Sequence, residues 1–199
     1  MAYSDFSLRK VKQDFNLTLI EGGSFLPEIE SIAPSNLLQD QLAEGLPVAL
    51  ATGSEKARSE LIISPVLMEV RRRLDRQISL FSGEDFTVAP ELGLAGTCDF
   101  LLSRSPEQMF IEAPAVIIVE AKKADLKSGM GQCLAEMIAA QKFNAENDNP
   151  LQTVYGCVTN GGAWKFMQLK EQTATFDLME YPIPPVDQVL GMLVWMVSN

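Results

Sequence analysis

The sequence predicts a single α/β domain over residues 1–199, with a mixed β-sheet flanked by helices. A long helical pattern fills 54–76, the β-branched run 115–119 is typical of a buried strand, and a second helical pattern follows from Gly129. Helices come first, then three strands, a helix and two or three further strands, without an internal repeat or a clean linker. This order favours one sheet with helices packed against it.

The first fifty residues predict short elements. Residues 5–16 carry apolar side chains at helical spacing, and 17–25 is consistent with a strand followed by a turn at Gly22-Gly23. A helix is expected to begin at Ser35, whose hydroxyl can cap free backbone N–H groups. Residues 45–53 are expected to form a loop or a short strand.

The longest helix is predicted over 54–76. Ser54 can cap it, and Glu55 lies in the first turn, where the helix dipole favours a negative charge. Pro65 removes one backbone hydrogen bond inside the pattern, so we expect a kink or a split there. Later elements are predicted in this order: a hairpin over 78–88, strands carrying Asp99 and Glu120, a helix from Gly129 to about 144, a hairpin over 153–169 turning at 160–162, an edge strand over 176–181 and a helix over 186–197.

Composition limits the chemistry that is available. There is no histidine, which removes Ser-His-Asp and Cys-His sites and histidine metal ligands. Hard oxygen ligands favour magnesium, manganese or calcium over zinc. The net charge of −10, from 16 Lys+Arg and 26 Asp+Glu, argues against a generic nucleic-acid binder but leaves room for a local basic groove.

The predicted location is cytoplasmic, with no membrane partner. Three cysteines without close spacing do not suggest a disulfide framework, and a reducing compartment fits them better. No apolar run approaches the about 20 residues that span a bilayer. The N-terminus lacks the basic and apolar segments of a secretory signal.

The most informative stretch is Glu120-Ala121-Lys122, at the end of the apolar run 115–119. Side chains alternate along a strand, so Glu120 and Lys122 share one face. Asp99 belongs to the preceding strand, and two carboxylates at adjacent strand ends can hold a divalent cation beside Lys122. The ordinary alternative is a salt bridge at a strand end, which contributes little.

Four further positions have open interpretations. Glu55 is either an additional metal ligand or a helix-start carboxylate, and Gln132 is either a substrate contact or a solvated amide. Lys123 could help a substrate approach. The arginine cluster 71–73 could touch phosphates, but the solvated side of an amphipathic helix is the favoured interpretation.

Asp99 followed by Glu120-Ala121-Lys122 resembles the PD-(D/E)XK nuclease superfamily, which has the restriction-endonuclease-like fold. The segment 54–67 and the hairpin 157–166 are similar to the nuclease part of type I restriction enzyme R subunits. The likeness covers 54–169. It leaves 1–53 as an N-terminal helical extension and 170–199 as a C-terminal strand and helix.

The resemblance implies a role for each matching residue. Asp99 and Glu120 would be ligands of Mg²⁺ or Mn²⁺, with the Ala121 carbonyl as a neutral third ligand and Glu55 completing the site. Lys122 would be the catalytic lysine, and Gln132 would match a glutamine frequent on the following helix. The motif has proline where this chain has Cys98.

The expected function is therefore metal-dependent hydrolysis of phosphodiester bonds, with DNA favoured over RNA as the nucleic-acid partner. The acidic charge keeps a second possibility open, in which the chain is a non-catalytic or partner-dependent interaction subunit of the same fold. A basic protein partner could then bind the nucleic acid, and the chain could also form a homodimer.

Overall fold

The protein is built on one eight-stranded mixed β-sheet with helices on both faces, as seen in a computed structural model that describes residues 2–22 and 25–199. The α/β class with a mixed sheet is thus confirmed. In chain order the elements are α1 (Leu8–Asp14), β1 (Thr18–Glu21), α2 (Asn36–Thr52), α3 (Glu55–Arg58), α4 (Ser64–Arg73), β2 (Ser79–Asp85), β3 (Thr97–Ser103), β4 (Ala115–Ala121), α5 (Met130–Glu146), β5 (Thr153–Thr159), β6 (Ala163–Lys170), β7 (Thr173–Phe176), β8 (Tyr181–Pro182) and α6 (Asp187–Ser198).

The strand order is β1-β7-β6-β5-β4-β3-β2, and the short β8 pairs with β6. β4 and β5 run parallel, as do β1 and β7, while the other neighbours are antiparallel. A parallel pair requires a long crossover connection, and α5 supplies the one between β4 and β5. β4 is consequently covered on both faces, and every residue from Ala115 to Ala121 is buried.

Two apolar layers hold the helices on the sheet. On one face α5 and α1 pack over side chains that include Leu101, Ile118 and Val158. On the other face α2, α4 and α6 pack over Phe100, Val119 and Trp164, among others. The three cysteines are free and buried within these layers. Among the described residues, no helix is both long and apolar enough to cross a membrane.

Several sequence predictions are confirmed. Ser35 and Ser54 cap α2 and α3 by accepting hydrogen bonds from Leu38 N–H and Ala57 N–H. The hairpin between β5 and β6 turns at 160–162, where the Asn160 side-chain oxygen accepts hydrogen bonds from two backbone N–H groups. The helices predicted from Gly129 and over 186–197 are α5 and α6.

The loop or strand predicted over 45–53 is wrong, because α2 continues through Pro47 to Thr52. Gly45 lies against the neighbouring helical segment, where a Cβ would come within 2.4 Å of the Leu61 carbonyl oxygen. Close packing therefore explains this glycine, which resembled a helix breaker in the sequence. The helix ends instead at Gly53, in the left-handed conformation that glycine favours.

The hairpin predicted over 78–88 is also wrong. β2 is one continuous strand that passes through Gly83 and pairs antiparallel with β3. The edge strand predicted over 176–181 is wrong in both extent and position. β7 ends at Phe176 and lies inside the sheet between β6 and β1, while β8 begins at Tyr181. Short-range turn signals cannot show which distant strand will pair with a segment.

The helix over 54–76 is split near Pro65, as predicted. A π-helical turn, Ser59–Ile63, separates α3 from α4, and the Ser64 N–H donates to the Ser59 carbonyl five residues back. The proline has no N–H to donate, and the wider turn accommodates it.

The N-terminal region is part of the sheet as well as helical. β1 pairs in parallel with β7, and Gly131 of α5 lies so close to α1 that a Cβ would meet the Phe6 carbonyl at 2.4 Å. The strand predicted over 17–25 is confirmed at Thr18–Glu21. The remainder of that prediction, at Gly23 and Ser24, lies outside the described residues.

The arginine cluster 71–73 has a structural role. Arg72 and Arg73 both donate to Glu69, whose side chain is only 1% exposed and which also accepts from the Ser35 N–H and hydroxyl. Burial would raise the pKa of Glu69, but the four hydrogen bonds outweigh it and lower that pKa. These arginines therefore anchor the α2 N-terminus to α4.

We expect Glu69→Ala to lower the free energy of unfolding by about 2 kcal/mol or more, because it leaves two arginines without their buried partner. Urea denaturation checks this. Glu60→Ala is the matched control, since Glu60 makes only an exposed ion pair with Lys56 and should cost less than about 1 kcal/mol. Equal losses in the two variants would contradict the anchoring role.

Candidate active site

The pairing of β3 with β4 brings the predicted carboxylates together. Phe100 lies opposite Val119, and the same antiparallel register continued by one residue sets Asp99 opposite Glu120. Directly opposed residues in a sheet have side chains on the same face, about 5 Å apart at Cβ. Two residues separated by 21 positions in the chain thus become cross-strand neighbours.

Asp99 is held in place by the backbone of β4. Its Oδ2 accepts a hydrogen bond from the Ala121 N–H at 2.8 Å. On the other side of β3, Gly83 lies between the paired residues Ser82 and Glu84, and a Cβ there would meet no atom within 4 Å. The carboxylate is fixed on one side and stays partly open on the other.

Glu120 is 1% exposed and uses only half of its hydrogen-bonding capacity. Its Oε1 accepts from Lys122 Nζ at 2.5 Å, while its Oε2 has no hydrogen-bond partner among the described residues. Burial, together with the negative charges of Asp99 and Glu55, raises the pKa of Glu120 from 4.5 to about 8 against the opposing effect of Lys122. The position is unfavourable for a carboxylate unless a second cation, in addition to the Lys122 ammonium, approaches it.

Lys122 is oriented by both its backbone and its side chain. The Lys122 N–H donates to the Thr159 carbonyl at 2.8 Å, and Nζ lies 3.4 Å from Gln132 Oε1 as well as 2.5 Å from Glu120. Burial acts to lower the pKa of Lys122, but the hydrogen bond and charge of Glu120, with Glu55 and Asp99, raise it overall. The side chain is therefore an ammonium group.

The approach of α5 to this site depends on Gly129. A Cβ at this position would lie 2.8 Å from Val158 Cγ1 and 2.9 Å from Lys122 Cε. Any larger residue would displace the lysine or the turn, so glycine lets the helix start directly over the end of β4.

Glu136 is a site residue that the sequence interpretation missed. It is fully buried on α5, and its Oε1 accepts from Gln132 Nε2 at 3.2 Å. Burial and the charge of Glu120 raise its pKa well above the ordinary value, and its Oε2 has no partner within the described residues. A signal was present, because Gln132 and Glu136 are four residues apart on one helix and such pairs face each other.

The remaining predicted site residues lie further out. Glu55 is exposed at the start of α3 and affects Glu120 and Lys122 through its charge. Lys123 is exposed just beyond β4. Within residues 2–22 and 25–199, no three His, Cys, Asp or Glu side chains form a ready metal-binding group. The structure therefore gathers Asp99, Glu120, Lys122 and Gln132, and leaves Glu55 and Lys123 at the periphery.

The residues present fit a hard divalent cation. Glu120 Oε2 is a buried oxygen that has no partner in the part of the chain that the structure describes, and Asp99 lies across from it on the same face of the sheet. Carboxylate oxygens are the donors that Mg²⁺ and Mn²⁺ prefer, and Mg²⁺ commonly uses only one or two protein carboxylates. A cation would also offset the charge that makes Glu120 difficult to ionise.

No protein-family model, curated protein or solved structure matches this chain. The functional proposal therefore rests on the residues of the site.

The free energy of unfolding should depend on pH through Glu120. The folded state retains a proton up to about pH 8 that the unfolded chain releases near 4.5, so this group's contribution to stability declines as the pH rises between those values. Glu120→Gln removes the titration. We expect the free energy of unfolding of the variant, relative to that of the wild type, to rise by up to about 1.4 kcal/mol per pH unit across this window.

Urea denaturation without divalent cations at pH 5, 6.5 and 8 measures this difference. Glu60→Gln, a change at an exposed carboxylate, is the control and should follow the wild type at every pH. If the free energies of unfolding of Glu120→Gln and the wild type change in parallel with pH, the pKa of Glu120 is not raised in the folded protein.

Proposed function

We propose that this chain is a metal-dependent nuclease that hydrolyses phosphodiester bonds in DNA, using Mg²⁺ or Mn²⁺. The observation that carries the proposal is the hydrogen bond from the Ala121 N–H to Asp99 Oδ2, which places an aspartate beside the Glu120–Lys122 pair. A pair of carboxylates with an adjacent ammonium group suits an anionic phosphodiester once a cation offsets their charge.

The fold supports a restriction-endonuclease-like assignment. A long, split helical segment precedes an antiparallel meander that carries Asp99 and then Glu120 and Lys122. α5 follows and leads to β5, which lies parallel to β4. This is the order of elements that the resemblance of the sequence to PD-(D/E)XK nucleases implies.

Each residue has a defined part in the proposed reaction. Asp99 and Glu120 would hold the cation, with the Ala121 carbonyl as a further oxygen ligand. When bound, the cation supplies Lewis acidity and lowers the pKa of water. Lys122 carries its proton, so it acts as a hydrogen-bond donor to the charge that develops on the phosphate rather than as a base.

Gln132 and Glu136 position the lysine. Glu136 accepts from the Gln132 amide, which leaves the Gln132 carbonyl oxygen directed to Lys122 Nζ. Lys122 is therefore supported from α5 as well as from β4, and its ammonium group has little freedom to leave the site.

Replacing Lys122 by methionine should reduce cleavage about 10²-fold or more, since it removes one preorganised donor to the transition state. The measurement is hydrolysis of labelled single- and double-stranded DNA with Mg²⁺ or Mn²⁺. Lys170→Met, a change at an exposed end of β6, is the matched control and should cleave like the wild type. Undiminished cleavage by Lys122→Met, or cleavage that persists in EDTA, would refute the mechanism.

Binding of Mn²⁺ should tighten as the pH rises towards 8, because Glu120 must release its proton before it can act as a ligand. Titration calorimetry at pH 6, 7 and 8 measures the affinity and the proton release. Asp99→Asn should weaken binding at every pH, whereas Glu60→Gln should have no effect. A pH-independent affinity would remove Glu120 from the ligand set.

The acidic surface favours a second candidate, in which the chain binds metal but needs a basic partner to engage nucleic acid. The net charge is −10, and two of the clustered arginines are occupied by Glu69. Wild-type protein that binds Mn²⁺ yet cleaves neither single- nor double-stranded DNA would support this candidate. Restoration of cleavage by a co-purifying partner would separate a partner-dependent nuclease from a non-catalytic module.

A further inference from the structure

We infer that a cavity beside the candidate active site binds one nucleotide of the substrate, next to the phosphodiester bond that is cleaved. The inference rests on the proposed function for its biological meaning, but binding to the cavity can be tested separately. The cavity has a volume of about 290 Å³ and is lined by apolar side chains together with Lys127, Lys165 and Glu21.

The register of the sheet puts this cavity on the same face as the active site. Glu120 pairs with Val158 on β5, and Val158 pairs with Lys165 on β6. Lys165 therefore lies in the same cross-strand row as Glu120, two strand spacings or about 10 Å away. This separation is between backbones and exceeds the step between neighbouring phosphates of a single strand, but the long side chains of Lys122 and Lys165 can make up the difference.

Only one turn separates the cavity from the site. The 3₁₀ turn Leu126–Gly129 lies over Val158, and Gly129 touches Lys122 on the active-site side. Lys127, within that turn, and Met130, directly after it, line the cavity on the other side. A strand that passes over this turn could place a phosphate at Lys122 and the next nucleotide in the cavity.

The cavity is lined by two lysines and one carboxylate, that of Glu21, so its charge balance favours a phosphate group. Lys165 is only 8% exposed, and among the described residues its ammonium makes one long ion pair, 3.9 Å from the half-exposed Glu180. A nearly buried ammonium with so weak a partner is costly, and a phosphate would provide the missing counter-charge. The exposed Lys127 adds a second positive charge at the rim.

The rest of the lining suits a flat base. Phe176, which is 5% exposed, forms an apolar wall with Leu19, Met130 and Leu178, against which a base can pack. Glu21 can accept a hydrogen bond from an exocyclic amine or a sugar hydroxyl. The volume is at the lower end of the range for small-ligand pockets, about 300 Å³, so it admits one nucleotide and excludes a duplex.

Direct binding of adenosine monophosphate, measured by titration calorimetry in EDTA, tests the cavity. The wild type should bind it saturably, and Lys165→Met should weaken binding at least about 10-fold, as expected for loss of a charge-assisted hydrogen bond. Lys127→Gln should weaken it less, and Lys170→Met, the same change on the exposed end of the same strand, should leave it intact. Adenosine, which lacks the phosphate, should bind equally to the wild type and to Lys165→Met.

Three results would overturn the inference: no saturable binding of the monophosphate, an equal loss in Lys165→Met and Lys170→Met, or a preference for octanoate, which would make the cavity a site for apolar carboxylates. Thermal melting must show that Lys165→Met is folded. If Lys165→Met is not folded, Lys127→Gln, at an exposed position, provides the test. Unweakened binding of the monophosphate by Lys127→Gln would then overturn the inference.

The inference and the nuclease proposal can fail independently. Lys122→Met should bind the monophosphate like the wild type, while Lys165→Met should raise KM for DNA with kcat unchanged. If the wild type cleaves DNA and Lys165→Met has an unchanged KM, the cavity does not bind the substrate, and the nuclease proposal is unaffected. Monophosphate binding that depends on Lys165, in a wild type that cleaves no DNA, would uphold the nucleotide site and refute a nuclease that acts without a partner.

Discussion

The hydrogen bond between the Ala121 N–H and Asp99 Oδ2 is the contact on which the candidate site depends. It ties the side chain of one strand to the backbone of the next, at the point where both strands leave the sheet. A shift of one residue in the β3–β4 register would turn Asp99 to the opposite face, away from Glu120. The apolar residues of these two strands oppose such a shift, because they would exchange layers at the same time.

Burial of β4 then determines the electrostatics of the site. Asp99, Glu120 and Glu136 are three carboxyl groups close to a single ammonium, that of Lys122, and the two glutamates have raised pKa values because burial disfavours their charge. At neutral pH the site therefore retains protons that exposed carboxyls would release. A divalent cation can replace those protons, so the same burial that destabilises an ionised Glu120 favours metal binding.

The sequence predicted the central features of the site because they are local. Glu120 and Lys122 share a face through strand alternation, and Asn160 and Gly129 mark turns through their own chemistry. The errors arise where distant packing decides the outcome. The sequence indicates a loop or a short strand over 45–53, yet α2 continues through Pro47 and packs against Leu61 at Gly45. Likewise, Glu136 is in the site because α5 packs over β4, whereas its spacing from Gln132 indicates only that these two side chains face each other.

The distribution of positive charge indicates how an acidic protein could still engage a polyanion. The densest basic cluster in the sequence, 71–73, is partly neutralised by Glu69 and stabilises the fold. Lys122, Lys127 and Lys165 are scattered along the chain, but the sheet and the turn before α5 bring them to one face. Asp99 and Glu120 lie on this face and Glu21 lines the cavity, so a bound divalent cation is needed there to offset the carboxylates before a polyanion approaches. Three lysines can neutralise only a few phosphates, so they fit binding of one end of a nucleic-acid strand better than binding along a long duplex.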